Sequence, residues 1–158
     1  MNSRKRILIY LLLALTALSA SAQNSIGELF KVMPDSLMPV LSKNNRLDMI
    51  DFCEAKMKAE VDNKLGGKSE MTCLTRDSLS IRVSSVLRMD LRLVEARADY
   101  DSCRQVICMV KTYRLPSSGG EESIADYYSV RWNRLPQPDV PALRLPSSTI
   151  LLQDEKLK

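Results

Sequence analysis

The spacing of the apolar residues changes at Gly66-Gly67, and this change constrains the fold of the 158-residue chain more than any other feature. Between residues 26 and 65, apolar side chains recur every three or four positions, as on one face of a helix. Beyond Gly67 they alternate with polar side chains, as in half-buried strands. The pattern therefore predicts an α+β fold, with N-terminal helices packed on one face of a four- to five-stranded antiparallel meander sheet.

Two helices are expected in the first half of the chain. Ser25 and Glu28 have the spacing of a capping box at the start of the first helix, and Pro34 ends it. Asn44 or Asn45 can cap the second helix, and the glycine pair at 66–67 is a typical helix end. We therefore predict one long helix that reaches this glycine pair.

The acidic residues of the second helix fall into two groups. Asp48 and Asp51 share its predicted solvent face, so an ordinary charged surface is favoured over the paired carboxylates of a hydrolase or metal clamp. Glu54 instead lies within the apolar stripe, between Ile50 and Met57. A buried carboxylate needs a partner, so we predict that Glu54 is a structural acid, hydrogen-bonded near the junction of helix and sheet.

The alternating segments predict strands near residues 71–73, 79–83, 89–93, 103–115 and 124–132. In the longest segment, the even-numbered positions from 106 to 110 are expected to face the core. In the last segment, Tyr127 and Arg131 are expected to face away from it. Together with Arg134 they are candidate partner-binding residues, although packing across strands is the commoner role of aromatic side chains there.

The N-terminus has the three-part order of a secretory signal. A basic block at Arg4, Lys5 and Arg6 precedes an apolar run over 7–18 and the small residues at 20–22. The run is shorter than the roughly 20 residues of a membrane-spanning helix, so cleavage is favoured over an uncleaved anchor. We therefore predict export to the periplasm or cell surface, with no stable membrane insertion after cleavage.

Cleavage after residue 22 divides the rest of the chain into a single α+β domain at 23–132 and a proline-rich tail at 133–158. The tail holds four of the seven prolines. Removal of the signal takes away three of the 23 basic residues and none of the 19 acidic ones, so the net charge falls from +4 to about +1. A domain so close to neutral has little field to attract phosphate backbones, and we expect no nucleic-acid partner.

The chain contains no histidine, and this absence removes several kinds of active site. Serine–histidine and cysteine–histidine nucleophile pairs, histidine general bases and histidine-ligated zinc all need an imidazole. No other catalytic motif, cofactor motif or metal-binding spacing is present. We therefore expect a non-catalytic protein without a cofactor or metal.

The four cysteines Cys53, Cys73, Cys103 and Cys108 are candidates for disulfides in an exported protein. Cys103 and Cys108 lie about 17 Å apart along one predicted strand and cannot bridge each other there. A bridge from Cys53 or Cys73 to Cys108 is one alternative. Buried, unpaired thiols are the other.

Six runs of the sequence carry a family resemblance: MPDSL at 33–37, NNRLDMIDF at 44–52, KMKAEV at 56–61, LGGKSEMT at 65–72, DSLSI at 77–81 and VICMVKTY at 106–113. The chain resembles an uncharacterised family of small secreted proteins from Bacteroidales, a domain of unknown function. The resemblance implies an exported or cell-envelope protein. It implies no catalytic residue.

The expected function is a binding or structural module of the cell envelope that engages a protein partner through a face or an edge of its sheet. A small apolar-ligand binder is the alternative, with a pocket between helix and sheet lined by Met57, Met71, Met89 and Met109. A hydrolase that uses aspartate or glutamate without histidine is the least favoured function.

Overall fold

The computed structural model describes residues 24–115, 119–136, 138–141 and 149–151. Two helices, α1 (Ile26–Lys31) and α2 (Lys43–Glu54), flank a 3₁₀ turn at Asp35–Leu37. The strands are β1 (Ala59–Asp62), β2 (Lys68–Leu74), β3 (Ser78–Arg82), β4 (Leu87–Tyr100), β5 (Cys103–Arg114), β6 (Glu121–Ser129), β7 (Arg134–Leu135) and β8 (Thr149–Leu151).

Strands β1 to β7 lie side by side in chain order, each antiparallel to the next, and β8 runs parallel beside β6. The longest hairpin joins β4, of 14 residues, to β5, of 12 residues. Its turn residues Asp101 and Ser102 have φ angles of 53° and 63°. Two successive positive φ angles are typical of the turns whose twist suits an antiparallel hairpin.

The predicted fold class is wrong. The described residues form mostly a seven-stranded antiparallel sheet with only two short helices, and not the expected four- to five-stranded meander. The long second helix is also wrong in its second half, because α2 ends at Glu54. Residues 59–62 form strand β1, and the glycine pair at 66–67 turns the chain from β1 into β2.

The region after α2 satisfies both a helical and an alternating pattern, which explains this error. Met57, Val61 and Leu65 share one face of a helix, but the buried side chains are those of Ala59, Val61 and Asn63, which alternate. Pairing with β2 buries that alternating set. Tertiary contacts therefore override the local helical pattern.

The Asn63 side chain holds the turn between β1 and β2. Its Oδ1 accepts hydrogen bonds from the backbone amides of Leu65 at 2.9 Å and Gly67 at 3.2 Å. Its Nδ2 donates to the Ser69 hydroxyl at 3.0 Å and to the Val83 carbonyl at 3.1 Å. Gly66 has a φ of 77°, a conformation that glycine adopts without a steric penalty.

The start of α1 agrees with expectation, whereas the expected cap of α2 is wrong. The Ser25 hydroxyl accepts a hydrogen bond from the Glu28 amide at 3.2 Å, as the spacing predicts. The cap of α2 is Ser42 rather than Asn44 or Asn45. Ser42 and Asn45 form a reciprocal capping box, so asparagine supplies the third helical position instead of the cap.

The main hydrophobic core lies between the two helices and one face of the sheet. Helical side chains such as Phe30 and Ile50 meet sheet residues such as Leu79 and Leu91, and all four are at most 1% exposed. The indole Nε1 of Trp132 donates to the Leu29 carbonyl at 3.0 Å and ties the end of β6 to α1.

Strand β5 faces the core with the opposite set of residues from the one expected. Ile107 and Met109 belong to the main core. Cys108 and Val110 instead join Ala125 in a small cluster that Tyr127 covers in part. Both faces of β5 carry apolar side chains, so alternation by itself leaves the inward face undetermined.

The N-terminal signal predicted for residues 1–22 lies outside the described residues. Within the predicted tail, β7 and β8 both pair with β6. No helix in the part of the chain that the structure describes is long and apolar enough to span a membrane.

Candidate functional site

The three candidate partner-binding residues occupy different places. Tyr127 is half-buried and lies opposite Cys108 and Leu135 in the sheet, whereas Arg134 lies opposite Tyr128. Neighbouring positions of a strand point to opposite faces, so Tyr127 and Arg134 lie on opposite faces. Arg131 is exposed in the turn after β6. The structure therefore does not bring the three side chains onto one surface.

The four methionines proposed as a pocket lining do not form one. Met71, Met89 and Met109 are at most 4% exposed within the main core, where they fill space between helices and sheet. Met57 is 59% exposed, because it follows the end of α2 rather than continuing that helix. This placement gives no support to an apolar ligand pocket at these residues.

The prediction that Glu54 is a buried acid is wrong. Glu54 is the last residue of α2 and is exposed. The prediction placed Glu54 in the middle of a longer helix, whose stripe would have continued over the sheet. Because the chain leaves the helix at this point, the carboxylate remains in solvent and needs no buried partner.

All four cysteines are free thiols. Cys108 is buried in the small cluster on one side of the sheet, whereas Cys53 packs against the main core on the other. The sheet therefore separates Cys53 from Cys108, one of the pairings that the sequence left open. Burial raises the pKa of Cys108 to about 11, and a hydrogen bond with Tyr127 partly opposes this shift. Burial also raises the pKa of Tyr127 to about 12.

A groove of about 370 Å³ lies on the sheet face that is opposite the helices, beside the turn between β3 and β4. We call it the arginine groove, after Arg82, Arg88 and Arg114. Residues from β2 to β6 and from the β3–β4 turn line it: Thr72, Arg82, Ser84, Ser85, Val86, Leu87, Arg88, Thr112, Arg114 and Glu121. Its lining therefore combines guanidinium groups with hydroxyl groups.

The strand register places like charges next to each other in the groove. Arg82 of β3 lies directly opposite Arg88 of β4, which lies opposite Thr112 of β5. Side chains directly opposite in an antiparallel pair are close neighbours, and like charges there are destabilising. A negative group near both arginines would offset this repulsion.

Each arginine of the groove has one carboxylate neighbour on the same face. Arg82 pairs with Glu70, the Arg88 Nε lies 3.0 Å from Asp90, and the Arg114 Nη2 lies 3.9 Å from Glu121. The three arginine side chains are 50–66% exposed. Exposed ion pairs contribute about 0–1 kcal/mol, so an incoming carboxylate can exchange with them at little cost.

The floor of the groove is polar and hydrogen-bonded within the sheet. The Thr112 and Ser123 hydroxyls share a hydrogen bond of 2.8 Å, and both residues are at most 4% exposed. The amide of Arg114 donates to the Val86 carbonyl at 2.8 Å and fixes the β3–β4 turn against β5. The exposed arginines therefore project from a hydrogen-bonded surface of the sheet.

The sequence analysis did not predict this groove, although the arginines of its lining stand out in the strand segments. The polar positions of the segments around 79–83 and 89–93 are rich in arginine. Only the register of β3 against β4 brings Arg82 and Arg88 together, and the position of Arg114 depends on the length of the β4–β5 hairpin. Neither can be read from alternation within one strand.

A family model described as "Protein of unknown function (DUF3256)" matches residues 17–157 of the chain. This match confirms the expected resemblance to an uncharacterised family. The solved structure of a domain of an uncharacterized protein from Porphyromonas gingivalis W83, a member of the Bacteroidales, is similar to this chain at 24% identity with a TM-score of 0.55. The similarity covers 71% of this chain and 54% of that chain, so it spans about half the length of the solved domain. At this identity it shows the fold alone, and no curated protein matches the chain.

Proposed function

This chain belongs to the DUF3256 family of proteins of unknown function, and we propose that it is an exported, non-catalytic binding module whose arginine groove engages an acidic segment of a protein partner in the cell envelope. One observation carries the proposal. Three arginines from three successive strands line one groove, and two of them, Arg82 and Arg88, lie directly opposite each other.

Carboxylate groups suit this groove chemically. An arginine guanidinium presents five N–H donors in a planar fork that matches the two oxygens of a carboxylate. The pairs of Arg88 and Arg114 with their own carboxylates use one nitrogen each. Further donors therefore remain for glutamate or aspartate side chains of a partner.

Recognition by the sheet face fits the structure better than recognition by strand addition. The outer strands are short, with four residues in β1, two in β7 and three in β8. Strand β1 also carries charged side chains at Glu60 and Asp62, which is a common means of preventing further strand pairing. A partner therefore has little edge on which to add a strand.

Export is supported by the sequence pattern at residues 4–22, a basic block followed by an apolar run and small residues. The absence of histidine supports a non-catalytic role, because the commonest general base is not available.

The test measures binding of labelled peptides to the chain that begins at residue 23. We expect fluorescence anisotropy at low salt to detect a peptide of eight glutamates but not a peptide of eight lysines or a glycine–serine peptide. Arg88→Glu should weaken glutamate binding at least about tenfold, because it removes one charge-assisted contact and adds a repulsion. Rising salt should weaken binding in the wild type.

Arg104→Glu is the matched control. Arg104 also lies on β5 and is exposed, but it pairs with Asp99 at 3.5 Å near the other end of the strand from Arg114. The Arg104→Glu variant changes the net charge by the same amount as Arg88→Glu, but outside the groove. An equal loss of affinity in both variants, or no glutamate binding in the wild type, would refute the proposed function.

A further inference from the structure

Two of the four free cysteines lie at the ends of two elements that pack on each other. Cys53 is the last residue but one of α2, and Cys73 is the last residue but one of β2. Helix α2 contacts strand β2. Cys53 is half-buried against the main core, whereas Cys73 is exposed. A donor from solvent can therefore reach Cys73 directly.

Side-chain packing brings these two ends together. A Cβ atom added to Gly27 of α1 would lie 3.5 Å from the Ile50 Cδ1 and 3.6 Å from the Leu74 Cδ1, so α2 and β2 meet over this glycine. Cys53 lies one helical turn after Ile50, and residues three apart are neighbours on a helix surface. Cys73 directly precedes Leu74. The two cysteines therefore flank the contact between α2 and β2.

The backbone between α2 and β1 also runs towards Cys73. The Met57 amide donates to the Phe52 carbonyl at 2.8 Å, which folds this connection against the end of α2. Strand β1 begins at Ala59, opposite Met71 of β2. Antiparallel partners run in opposite directions, so the residues before Ala59 lie alongside the end of β2. Cys73 belongs to that end.

A β-bulge in β2 leaves the face of Cys73 to be settled by its neighbours. The pairing of β2 with β3 shifts between Met71 and Cys73, and a bulge re-aims the side chains that it carries. Burial raises the pKa of Cys53 most, and Cys73 raises it further, by more than Glu54, the next residue in the chain. Charge interactions weaken with distance. The Cys73 side chain therefore lies close to Cys53.

We propose that Cys53 and Cys73 form a disulfide bond in the exported protein. The oxidant is a donor disulfide, of the kind that a thiol–disulfide oxidoreductase carries. The Cys73 thiolate attacks one donor sulfur to form a mixed disulfide, and the Cys53 thiolate then attacks the Cys73 sulfur. The two cysteines lose two protons and two electrons, and the donor disulfide is reduced to two thiols.

The other two cysteines remain thiols. Cys108 is fully buried beyond the sheet, where a donor disulfide cannot reach it. Cys103 lies at the start of β5, beside the β4–β5 turn, where its Sγ accepts a hydrogen bond from the Gln105 amide at 3.3 Å. The proposal therefore predicts one bridge and two thiols.

The bridge would tie the end of α2 to the sheet. Residues 54–58, which lead from α2 to β1, are all exposed. A bond from Cys53 to Cys73 closes a loop of about 20 residues that contains this connection and the edge strand β1, and a closed loop has fewer unfolded conformations. Oxidation should therefore raise the Tm of the protein by at least about 5 °C.

The test compares the chain from residue 23 after equilibration at about pH 8 with oxidised glutathione and after reduction with dithiothreitol. We expect thiol titration in urea to find two thiols in the oxidised protein and all four in the reduced protein. Mass spectrometry of an unreduced digest should link the fragments that contain Cys53 and Cys73. Both measurements use the wild type, so they do not depend on the folding of a variant.

Cys53→Ser and Cys73→Ser should each abolish the linked fragments and the effect of oxidation on the Tm. Cys103→Ser is the matched control and should preserve both. Four titratable thiols after oxidation, a linked pair that includes Cys103 or Cys108, or a dimer joined through Cys73 on an unreduced gel would overturn the inference. The inference depends on the proposed export only for an oxidising compartment, and the arginine groove contains no cysteine, so the two proposals fail independently.

Discussion

Replacement of Arg46 by methionine should lower the free energy of unfolding by about 2–4 kcal/mol. Methionine retains an unbranched, apolar stem of similar shape but cannot donate hydrogen bonds. The side chain of Arg46 is 2% exposed, so water cannot replace the bonds that are lost. The substitution therefore tests whether the guanidinium holds the connection between α1 and α2.

The magnitude follows from the two carbonyls that Arg46 satisfies. The bonds to Met33 and Leu41, at 2.8 and 3.2 Å, are charge-assisted, and bonds of this kind contribute about 1.5–3 kcal/mol each. The pair with the exposed Asp35 adds at most about 1 kcal/mol. Burying the guanidinium, whose Nε–H has no partner among the described residues, also costs free energy in the wild type. The substitution removes this cost, which offsets part of the lost stability. For a domain whose total stability is about 5–15 kcal/mol, the remaining loss is large.

Urea denaturation of the wild type and the variant, followed by the fluorescence of Trp132, measures this change. Arg97→Met is the control, since Arg97 has a side chain 72% exposed and only a 3.6 Å pair with Asp139. We expect the control to change stability by less than about 0.5 kcal/mol. If Arg46→Met also remains within about 0.5 kcal/mol of the wild type, the buried guanidinium does not stabilise the connection and the reasoning is wrong.

Two further predictions concern the sheet. Burial raises the pKa of Cys108 to about 11, so the neutral thiol contributes stability that is lost as the pH rises from about 9 to 11. The urea midpoint of the wild type should therefore fall across this range, and the midpoint of Cys108→Ala should fall less. Equal declines in the two proteins would contradict the assignment. Asn63→Ala should lower the free energy of unfolding, measured by urea denaturation, by about 2–4 kcal/mol, because four hydrogen bonds of the β1–β2 turn are lost. Asn44 is exposed, so Asn44→Ala should change the stability little, and equal effects of the two substitutions would contradict the role of Asn63.

Local sequence signals predicted the features that depend on near neighbours. The cap at Ser25 follows from a hydroxyl three residues before the Glu28 amide. Segments near 79–83 and 89–93 are strands, because alternation of apolar and polar side chains suits a half-buried sheet. These features need only a few consecutive residues, so they can be read without the rest of the chain.

The errors occurred where two local patterns fitted equally well. Residues 57–65 satisfy a helical stripe through Met57 and Leu65, and an alternating strand through Ala59 and Val61. Only pairing with β2 selects the strand. In β5 the choice between Cys108 and Met109 as the inward residue likewise depends on which face the helices cover.

The amino-acid sequence alone excludes histidine chemistry, and its apolar spacing places helices ahead of strands between residues 26 and 132. The tertiary structure decided which residues meet. It set the register that places Arg82 opposite Arg88, and it enclosed Arg46 between α2 and the carbonyls of Met33 and Leu41. The physical reason is that secondary structure follows from interactions between near neighbours. Binding surfaces and buried charges depend instead on contacts between residues far apart in the chain, and those contacts exist only once the sheet has assembled.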